Sequence, residues 1–260
     1  MTRSHFAFLD APGPIAFAHQ GGASEFPENT LAAFQASVAL GYRYIETDVQ
    51  ATADGVVVVM HDKTLDRTTD HAGTISNLPW SVVSQARVHG TEPVPRLDDV
   101  LAALPETRFN IEPKTDHAVD PLIDAIRRAS AIDRVCLGSF KDARIRRLRR
   151  ALGASLCTGM GEFTTARLRI GAWIPFRPLA RLVARTDSAC AQLPVKFKFF
   201  TITDRRVVSL AHDLGLAVHV WTIDDPAEMH RLLDLGVDGI MTDAPSVLKK
   251  VLVERGQWPS

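Results

Sequence analysis

The chain repeats one local pattern along almost its whole length, in which a short apolar strand-like run precedes an amphipathic helix-like run. Because parallel strands need a crossover connection that is usually a helix, this alternation predicts a parallel α/β sheet with right-handed crossovers. Eight such units in 260 residues favour a closed (β/α)8 TIM barrel over an open doubly wound sheet. The predicted strands are residues 15–19, 44–49, 108–114, 134–138, 155–158, 190–193, 217–221 and 239–241.

Residues 63–96 break the alternation, because they are rich in turn-forming residues and show no strand or helix period. We interpret them as a small insertion after the second strand, so that residues 1–260 form a single barrel domain. The first helix is predicted to begin after Asn29 as its N-cap. The very basic helix at 143–152 is expected to face solvent.

Charge, cysteine content and hydropathy indicate which kinds of function and location the sequence gives no reason to expect. Lys plus Arg and Asp plus Glu are equal at 30 each, which gives no general argument for binding nucleic acid or an anionic membrane. The first 14 residues lack the apolar run of a signal peptide, and no run is long enough for a transmembrane helix, so we expect a cytoplasmic protein. Cys136, Cys157 and Cys190 are far apart and form no CxxC pair, which predicts buried core thiols. No sequence feature indicates an oligomeric state.

Residues 44–62 carry the densest group of candidate functional side chains. Residues two apart in a strand share a face, so Glu46 and Asp48 point the same way. Asp54-Gly55 predicts a turn, after which an apolar run returns the chain to His61 and Asp62. The segment therefore presents two carboxylates and a histidine in one place.

A barrel gathers its functional residues at the carboxyl ends of its strands. Polar and aromatic side chains occupy those positions in this sequence. They are His19, Glu46, Asp48, His61, Glu112, Lys114, Gln192, Trp221 and Asp243.

Three of these residues, Glu46, Asp48 and Glu112, are predicted to converge. Three neighbouring carboxylates cannot all be ionised without a cation, because burial and mutual repulsion both oppose it. Oxygen ligands favour a hard divalent ion, Mg²⁺ or Ca²⁺, over zinc. The alternative is that each carboxylate pairs with an arginine or lysine at the surface.

His19 and His61 are predicted to lie at the same mouth of the barrel. Two histidines beside a cation suit acid–base chemistry near neutral pH. The alternative is that one or both bind a metal directly, which would favour a softer ion. Lys114 could contact a phosphate oxygen or simply pair with Glu112. Trp221 could form the wall of a small-ligand site or cap the core.

Several segments, in their order and spacing, resemble the glycerophosphodiester phosphodiesterase family over nearly the whole chain. They are His19-Gln20-Gly21-Gly22, Pro27-Glu28-Asn29-Thr30, Glu46-Thr47-Asp48-Val49, His61-Asp62, Arg67-Thr68-Thr69, Ile111-Glu112-Pro113-Lys114, Val220-Trp221-Thr222 and the run 236–243.

The resemblance implies a TIM barrel with an insertion after its second strand and a phosphoric diester hydrolase activity. The expected reaction cleaves a small glycerophosphodiester to glycerol 3-phosphate and an alcohol. By resemblance, Glu46, Asp48 and Glu112 match divalent-metal ligands and His19 and His61 match the acid–base pair. Lys114 matches a phosphate-contacting position, and Gln192 and Trp221 are candidates to line the substrate site.

Gln20 departs from the family pattern, which usually has arginine after the first histidine. A glutamine offers a neutral amide where arginine would offer a charged fork, and the lost charge-assisted contact would cost about 1–3 kcal/mol. Gln20 therefore predicts weaker phosphate binding, a different substrate, or compensation by another base.

Two other functions remain as alternatives. The segment 168–183 mixes aromatic and apolar residues with arginines, so a phospholipase-D-like enzyme acting on lysophospholipids could use it to touch lipid. Because an apolar stripe with a polar face is also the ordinary pattern of a surface helix, membrane contact is not expected. The second alternative, a non-catalytic phosphodiester-binding protein, is suggested by Gln20 alone.

Overall fold

The computed structural model describes residues 6–258. The prediction that the first 14 residues are not a signal peptide therefore falls partly outside the described residues. Eight parallel strands form a nearly closed barrel and confirm the predicted fold class. They are β1 (Ile15–His19), β2 (Tyr44–Ala51), β3 (Arg108–Pro113), β4 (Val135–Leu137), β5 (Cys157–Thr158), β6 (Cys190–Pro194), β7 (Ala217–Trp221) and β8 (Gly239–Thr242).

The strands pair in the order β5-β4-β3-β2-β1-β8-β7-β6, which leaves one seam between β5 and β6. At that seam the amide of Ala189 donates a hydrogen bond of 2.9 Å to the carbonyl of Thr158. The strands on the two sides of the seam are short, with two residues in β5 and five in β6.

Helices separate the barrel strands, as the alternation predicts. In the described chain they are Leu31–Ala39, Trp80–Val83, Leu97–Ala103, Val119–Arg128, Asp142–Leu152, Glu162–Gly171, Arg177–Ala184, Arg205–Asp213, Pro226–Leu235 and Pro245–Glu254. Short 3₁₀ turns lie at Ala7–Leu9, Ile75–Asn77 and Ile132–Arg134. None of the helices within residues 6–258 has the length and apolar character needed to cross a membrane.

The stretch between β2 and β3 begins with the predicted hairpin. Val57–Val59 pairs antiparallel with the end of β2, and the turn at Gly55 has a positive φ of 80°. The following residues hold a 3₁₀ turn, one short helix and a small hairpin of Arg87–Val88 with Glu92–Pro93. Their apolar side chains form a cluster of their own against Val58 and Met60.

The bottom of the barrel is closed by the N-terminal segment. Phe8 is fully buried and packs edge-on against Tyr44, whose hydroxyl donates a hydrogen bond of 2.9 Å to the Phe8 carbonyl. Phe17 fills the adjacent interior position. Because this end is filled with apolar side chains, polar groups of the barrel interior collect toward the carboxyl ends of the strands.

Two local predictions are wrong. The N-cap of the first helix is Thr30, whose hydroxyl accepts from the amide of Ala33 at 3.1 Å, and Asn29 instead has a φ of 56° and turns its side chain inward. The basic helix Asp142–Leu152 does not simply face solvent, because Arg144 is buried and donates hydrogen bonds of 3.0 Å to the carbonyls of Pro113 and Lys114.

Candidate active site

Polar side chains from three adjacent strands meet at the carboxyl end of the barrel. The parallel register sets His19 of β1 opposite Glu46 of β2, and Asp48 of β2 opposite Glu112 of β3. All four point to the barrel interior, which is the convergence that the strand-end positions predict. Glu46 and Asp48 are buried at 5% and 2% exposure, so their charges are held out of bulk water.

Burial makes ionisation of this carboxylate group unfavourable. Burial, with repulsion from Asp48, raises the pKa of Glu46 to about 8. Burial also raises the pKa of Glu112, although the charge of Lys114 opposes the shift. Nearby positive charge does not fully neutralise the carboxylates of Glu46, Asp48 and Glu112, and a bound cation would favour their ionised forms.

Lys114 supplies part of that positive charge. Its Nζ lies 3.2 Å from Glu112 Oε2 and 3.4 Å from Asp48 Oδ1. Burial alone would lower the pKa of Lys114, but Asp48 and Glu112 outweigh it and raise the pKa. The ion pair with Glu112, one of the two roles considered for this lysine, is present in the structure.

His19 is held between two carboxylates. Its Nδ1 lies 2.7 Å from Asp243 Oδ1, and its Nε2 lies 3.6 Å from Glu46 Oε2. Burial by itself lowers the pKa of His19, but the charges of Glu46 and Asp243 prevail and raise it to about 9. The imidazole therefore retains a proton at neutral pH in this arrangement.

His61 follows the hairpin strand and is more open, with 42% of its side chain exposed. Its Nδ1 lies 2.7 Å from Asp62 Oδ1, and the amide of Gln50 donates to the His61 and Asp62 carbonyls at 3.1 Å. Hydrogen bonds from Arg67 lower the pKa of Asp62 to about 2. Asp62 is therefore an ionised partner that fixes the orientation of His61.

Arg67 also joins this hairpin to the loop after β1. Its guanidinium donates two hydrogen bonds, of 2.9 and 2.7 Å, to the carboxylate of Glu28. Paired contacts of this kind fix both groups in one plane. The chain of contacts from Glu28 to His61 joins the Pro27-Glu28 and Arg67 segments, both of which carry the resemblance.

Gln20 lies next to the carboxylates rather than out in the open mouth. Its backbone has a φ of 51°, its Nε2 donates to Asp48 Oδ2 at 2.8 Å, and its amide N–H donates to Glu46 Oε2 at 3.2 Å. The side-chain amide is thus already used to orient a carboxylate. This position was predicted only as a substrate contact.

Asn29 is a residue whose role at the site the sequence reasoning missed. Its Oδ1 accepts from the Thr47 hydroxyl at 2.7 Å and from the Asp48 amide at 3.4 Å, and its Nδ2 faces Asp48 Oδ2 at 3.4 Å. The positive φ that excludes Asn29 as an N-cap is what turns it toward Asp48. The clue in the sequence was its place beside Pro27-Glu28.

Gln192 and Trp221, the other two predicted lining residues, lie at different depths. Gln192 is part of β6 and donates a hydrogen bond of 2.8 Å to Asn110, which is two residues before Glu112. A Cβ on Gly159 would come within 2.8 Å of Gln192 Oε1, so glycine there makes room for the amide. Trp221 is half-buried and packs edge-on against Phe140 at 5.8 Å between ring centroids.

The chemistry of the donor groups fits a hard divalent cation. Glu46, Asp48 and Glu112 offer carboxylate oxygens only, and the raised pKa values of Glu46 and Glu112 report uncompensated charge. His19 and His61 offer imidazoles, each oriented by its own aspartate. Such a group can bind an anionic substrate and move protons at the same mouth.

One cavity lies away from these residues. A cavity of about 410 Å³ lies at the bottom of the barrel, lined by the 10–16 segment, residues 41–44, Glu106, Arg108 and Trp258. None of the predicted site residues lines it. Because catalytic groups in this fold lie at the carboxyl face, we do not assign a function to this cavity.

The sequence matches the glycerophosphoryl diester phosphodiesterase family over residues 19–247. It is 41% identical over 256 residues to a probable glycerophosphodiester phosphodiesterase 2 of Mycobacterium tuberculosis, with 96% of this chain and 95% of that protein covered. It is 27% identical to lysophospholipase D GDPD1 of Rattus norvegicus, with 90% and 84% covered.

The fold is also similar to a solved structure, an Oleispira antarctica phosphodiesterase in complex with the product sn-glycerol-3-phosphate. The two share a TM-score of 0.74 at 22% identity, with 93% of this chain and 97% of that chain covered. At this identity the likeness supports the barrel architecture.

The carboxylate group makes a prediction about stability without divalent cations. The pKa of Glu46 is raised from 4.5 to about 8 and that of His19 from 6.5 to about 9. Both groups bind protons more tightly in the folded protein, so stability should fall as pH rises from about 4.5 to 9. We expect the Tm in EDTA to decrease over this range.

The variant Glu46→Gln should show a shallower decrease in Tm, since it removes one raised carboxyl group and the main charge acting on His19. Exposed Glu162 provides a matched control, and Glu162→Gln should keep the slope of the wild type. Equal slopes in the wild type and Glu46→Gln would contradict the interpretation.

Proposed function

The chain belongs to the glycerophosphoryl diester phosphodiesterase family, and we propose that the residues described above hydrolyse a glycerophosphodiester. The hypothesis of a non-catalytic binding protein is not retained. One observation carries the proposal: His19 meets the carboxylates of Glu46, Asp48 and Glu112 at one end of the barrel. The products are glycerol 3-phosphate and an alcohol.

Glu46, Asp48 and Glu112 are the residues that we assign to a divalent cation, Mg²⁺ or Ca²⁺. The support is the all-oxygen donor group, its burial and its excess of negative charge. When bound, such an ion supplies charge neutralisation for the phosphate and a lower pKa for an attacking hydroxyl.

His19 and His61 are assigned opposite roles in proton transfer. Asp243 and Glu46 keep a proton on His19, which suits a general acid that protonates the leaving alcohol oxygen. Asp62 holds Nδ1 of His61, and within residues 6–258 no hydrogen bond is made by its Nε2. We assign that nitrogen to accept a proton from the glycerol hydroxyl next to the phosphate. The hydroxyl oxygen then attacks the phosphorus and displaces the alcohol, which forms a cyclic phosphate. Water opens this ring in a second step.

Four residues are assigned to substrate binding. Lys114 contributes the positive charge nearest the carboxylates and is proposed to contact a phosphate oxygen. Gln20 acts beside it, with its amide already bonded to Asp48. Gln192 and Trp221 are proposed to line the space above β6 and β7 that receives the glycerol or the alcohol group.

A second substrate class, lysophospholipids, is favoured by one observation. Five phenylalanines on the connections after β4, β5 and β6 are exposed: Phe140 at 47%, Phe163 at 67%, Phe197 at 62%, Phe199 at 98% and Phe200 at 66%. Lys196 and Lys198 alternate with them in the hairpin that follows β6. Apolar rings with interleaved lysines at the mouth suit an acyl chain or an anionic lipid surface.

The segment first suggested for lipid contact, 168–183, is also partly exposed. It consists of the end of one helix and part of a second helix, Arg177–Ala184, that the sequence did not predict. Leu168 and Ala180 are buried, whereas five large apolar side chains are exposed: Ile170 at 51%, Trp173 at 55%, Phe176 at 64%, Leu179 at 46% and Leu182 at 65%. We prefer the hairpin because it directly follows the carboxyl end of β6, where the predicted site residues lie.

The proton-transfer roles can be separated by the leaving group. His19→Ala and His61→Ala should each lower kcat on glycerophosphocholine by about 10²–10⁴-fold. A glycerophosphodiester with a p-nitrophenol leaving group needs no acid, so it should restore activity to His19→Ala and not to His61→Ala. Restoration in His61→Ala alone would reverse the assignment, and restoration in neither would remove the acid–base division.

Gln20→Arg tests whether the neutral amide limits phosphate binding. Arginine can keep a hydrogen bond to Asp48 and add charge, so KM for glycerophosphocholine should fall by about tenfold or more. Gln20→Met keeps the size but loses the amide, and its KM should rise. An unchanged KM in Gln20→Arg would mean that Lys114 or another base already supplies the contact. Assays with and without EDTA test the cation assignment in the same series.

The substrate class can be decided by competition between glycerophosphocholine and lysophosphatidylcholine. If the hairpin binds an acyl chain, Phe197→Ser with Phe199→Ser should raise KM for the lipid and leave KM for glycerophosphocholine unchanged. Val253→Ser, an exposed apolar residue on the closing helix, is the matched control. Equal effects of the double variant on both substrates, or none, would exclude lipid recognition by this hairpin.

A further inference from the structure

The three cysteines, far apart in the sequence, meet inside the barrel. Cys136 lies on β4, Cys157 on β5 and Cys190 on β6, with 0%, 1% and 0% exposure. Their Sγ atoms all lie within 4.8 Å of one another, and those of Cys136 and Cys190 are 3.8 Å apart. Within residues 6–258, no other group of three His, Cys, Asp or Glu residues brings its ligand atoms this close.

A fourth potential ligand lies on the next strand. His219 of β7 is fully buried, and in the described chain neither of its ring nitrogens has a hydrogen-bond partner. The register pairs Ala217 with Cys190, so His219 lies two residues further on and on the same face as that cysteine. Buried polar groups are rarely left without a partner, so an unsatisfied imidazole on the strand next to Cys190 needs an explanation.

The His219 ring interacts with the Cys190 thiol, which places the imidazole at the cysteine cluster. On its other side the His219 ring packs against Phe17 at 4.9 Å between centroids.

We propose that Cys136, Cys157, Cys190 and His219 form a second metal site, specific for a soft or borderline ion such as Zn²⁺. Zinc–thiolate bonds are about 2.3 Å long, so two sulfurs of a tetrahedral site lie about 3.8 Å apart. The separation of Cys136 and Cys190 already has that value. Three cysteines and one histidine are a common ligand set of structural zinc sites.

The charge of the bound ion is balanced because the three thiols lose their protons. Each thiol gives up its proton to solvent as its sulfur binds Zn²⁺, and the neutral imidazole binds without loss, which leaves one net negative charge. Arg149 lies close by, with Nη1 3.3 Å from the Leu156 carbonyl and 3.2 Å from the Thr158 hydroxyl, on either side of Cys157. Its positive charge can offset the negative charge of the site.

This site is distinct from the carboxylates at the mouth. Gln192, the next inward-facing residue above Cys190, donates its hydrogen bond to Asn110 and so separates the sulfurs from Glu112. The ligand atoms also differ, because sulfur and imidazole select zinc whereas carboxylates select Mg²⁺ or Ca²⁺.

The proposed role is structural. Cys157 and Cys190 lie on the two strands that flank the seam of the barrel, which carries the hydrogen bond from Ala189 to Thr158. An ion shared by β4, β5, β6 and β7 would join the sheet across that seam. Because the ligands have no access to solvent, the ion would enter during folding.

The test is refolding of the full-length enzyme. The protein is denatured with reductant and chelator, refolded with one equivalent of Co²⁺, and passed through a desalting column in EDTA. We expect about one cobalt per chain to be retained, with sulfur-to-cobalt charge transfer in the near ultraviolet and tetrahedral bands in the visible spectrum. Zn²⁺ should abolish these bands by displacement during refolding.

Variants assign the signal to residues. Cys157→Ser and Cys190→Ser should lose the charge-transfer band and the EDTA-resistant ion, and His219→Phe should weaken retention and alter the visible bands. Glu112→Gln, which changes a carboxylate at the mouth, is the matched control and should keep both signals. If a cysteine variant does not fold, the wild-type spectrum still decides the question.

Three outcomes would overturn the proposal. The first is refolded wild type without a charge-transfer band or retained ion. The second is retention of the band in Cys157→Ser and Cys190→Ser. The third is a denatured, unreduced enzyme that has fewer than three titratable thiols and regains them with reductant, because a disulfide would then explain the cluster.

Discussion

The parallel register that joins β2 to β1 and β3 is the constraint on which the active site depends. It sets His19 opposite Glu46 and Asp48 opposite Glu112, so the polar group exists only while these pairings hold. Successive strand residues face opposite sides, so a slip of one residue would send both carboxylates of β2 into the apolar layer under the helices. Burial and repulsion from Asp48 raise the pKa of Glu46, whereas attraction to Glu46 and Asp243 raises the pKa of His19. The register therefore determines the protonation of both groups as well as their positions.

Much of the fold could be predicted from the sequence because a parallel barrel depends on a repeating pattern rather than on single contacts. All eight strands were located, and their boundaries differ from the predicted ones by at most two residues. The end of the preceding helix was predicted at Ala172, close to its observed end at Gly171, but the short second helix Arg177–Ala184 was not predicted after Pro175. Asn29 was assigned as an N-cap on residue type, but its backbone conformation leaves that role to Thr30. Arg144 looked like one of several solvated arginines, and only the tertiary structure brings it to the carbonyls at the end of β3.

The part of the site that lies at the carboxyl ends of strands could be predicted from the sequence. That rule located His19, Glu46, Asp48 and Glu112, because a residue's place along a strand determines which mouth it faces. It could not give the contacts that cross between loops, such as Arg67 with Glu28 or Asn29 with Asp48. The prediction of buried core thiols is confirmed, but the sequence could not show that the three thiols meet. Spacing along the chain suggests separate core thiols, whereas a barrel brings residues from β4, β5 and β6 to one point at the same height.

The interior of this barrel is therefore layered by chemistry along its axis. At the carboxyl end lie hard oxygen ligands on β2 and β3, and deeper inside lie sulfur and imidazole on β4 to β7. The hydrogen bond between Asn110 and Gln192 lies between the layers, and glycine at position 159 leaves room for it. Since ion preference follows ligand type, one barrel can hold a readily exchanged hard cation at its open end and a trapped soft one in its core. The two halves of the sheet would then divide the work, with β1 to β3 performing the chemistry and β4 to β7 maintaining closure.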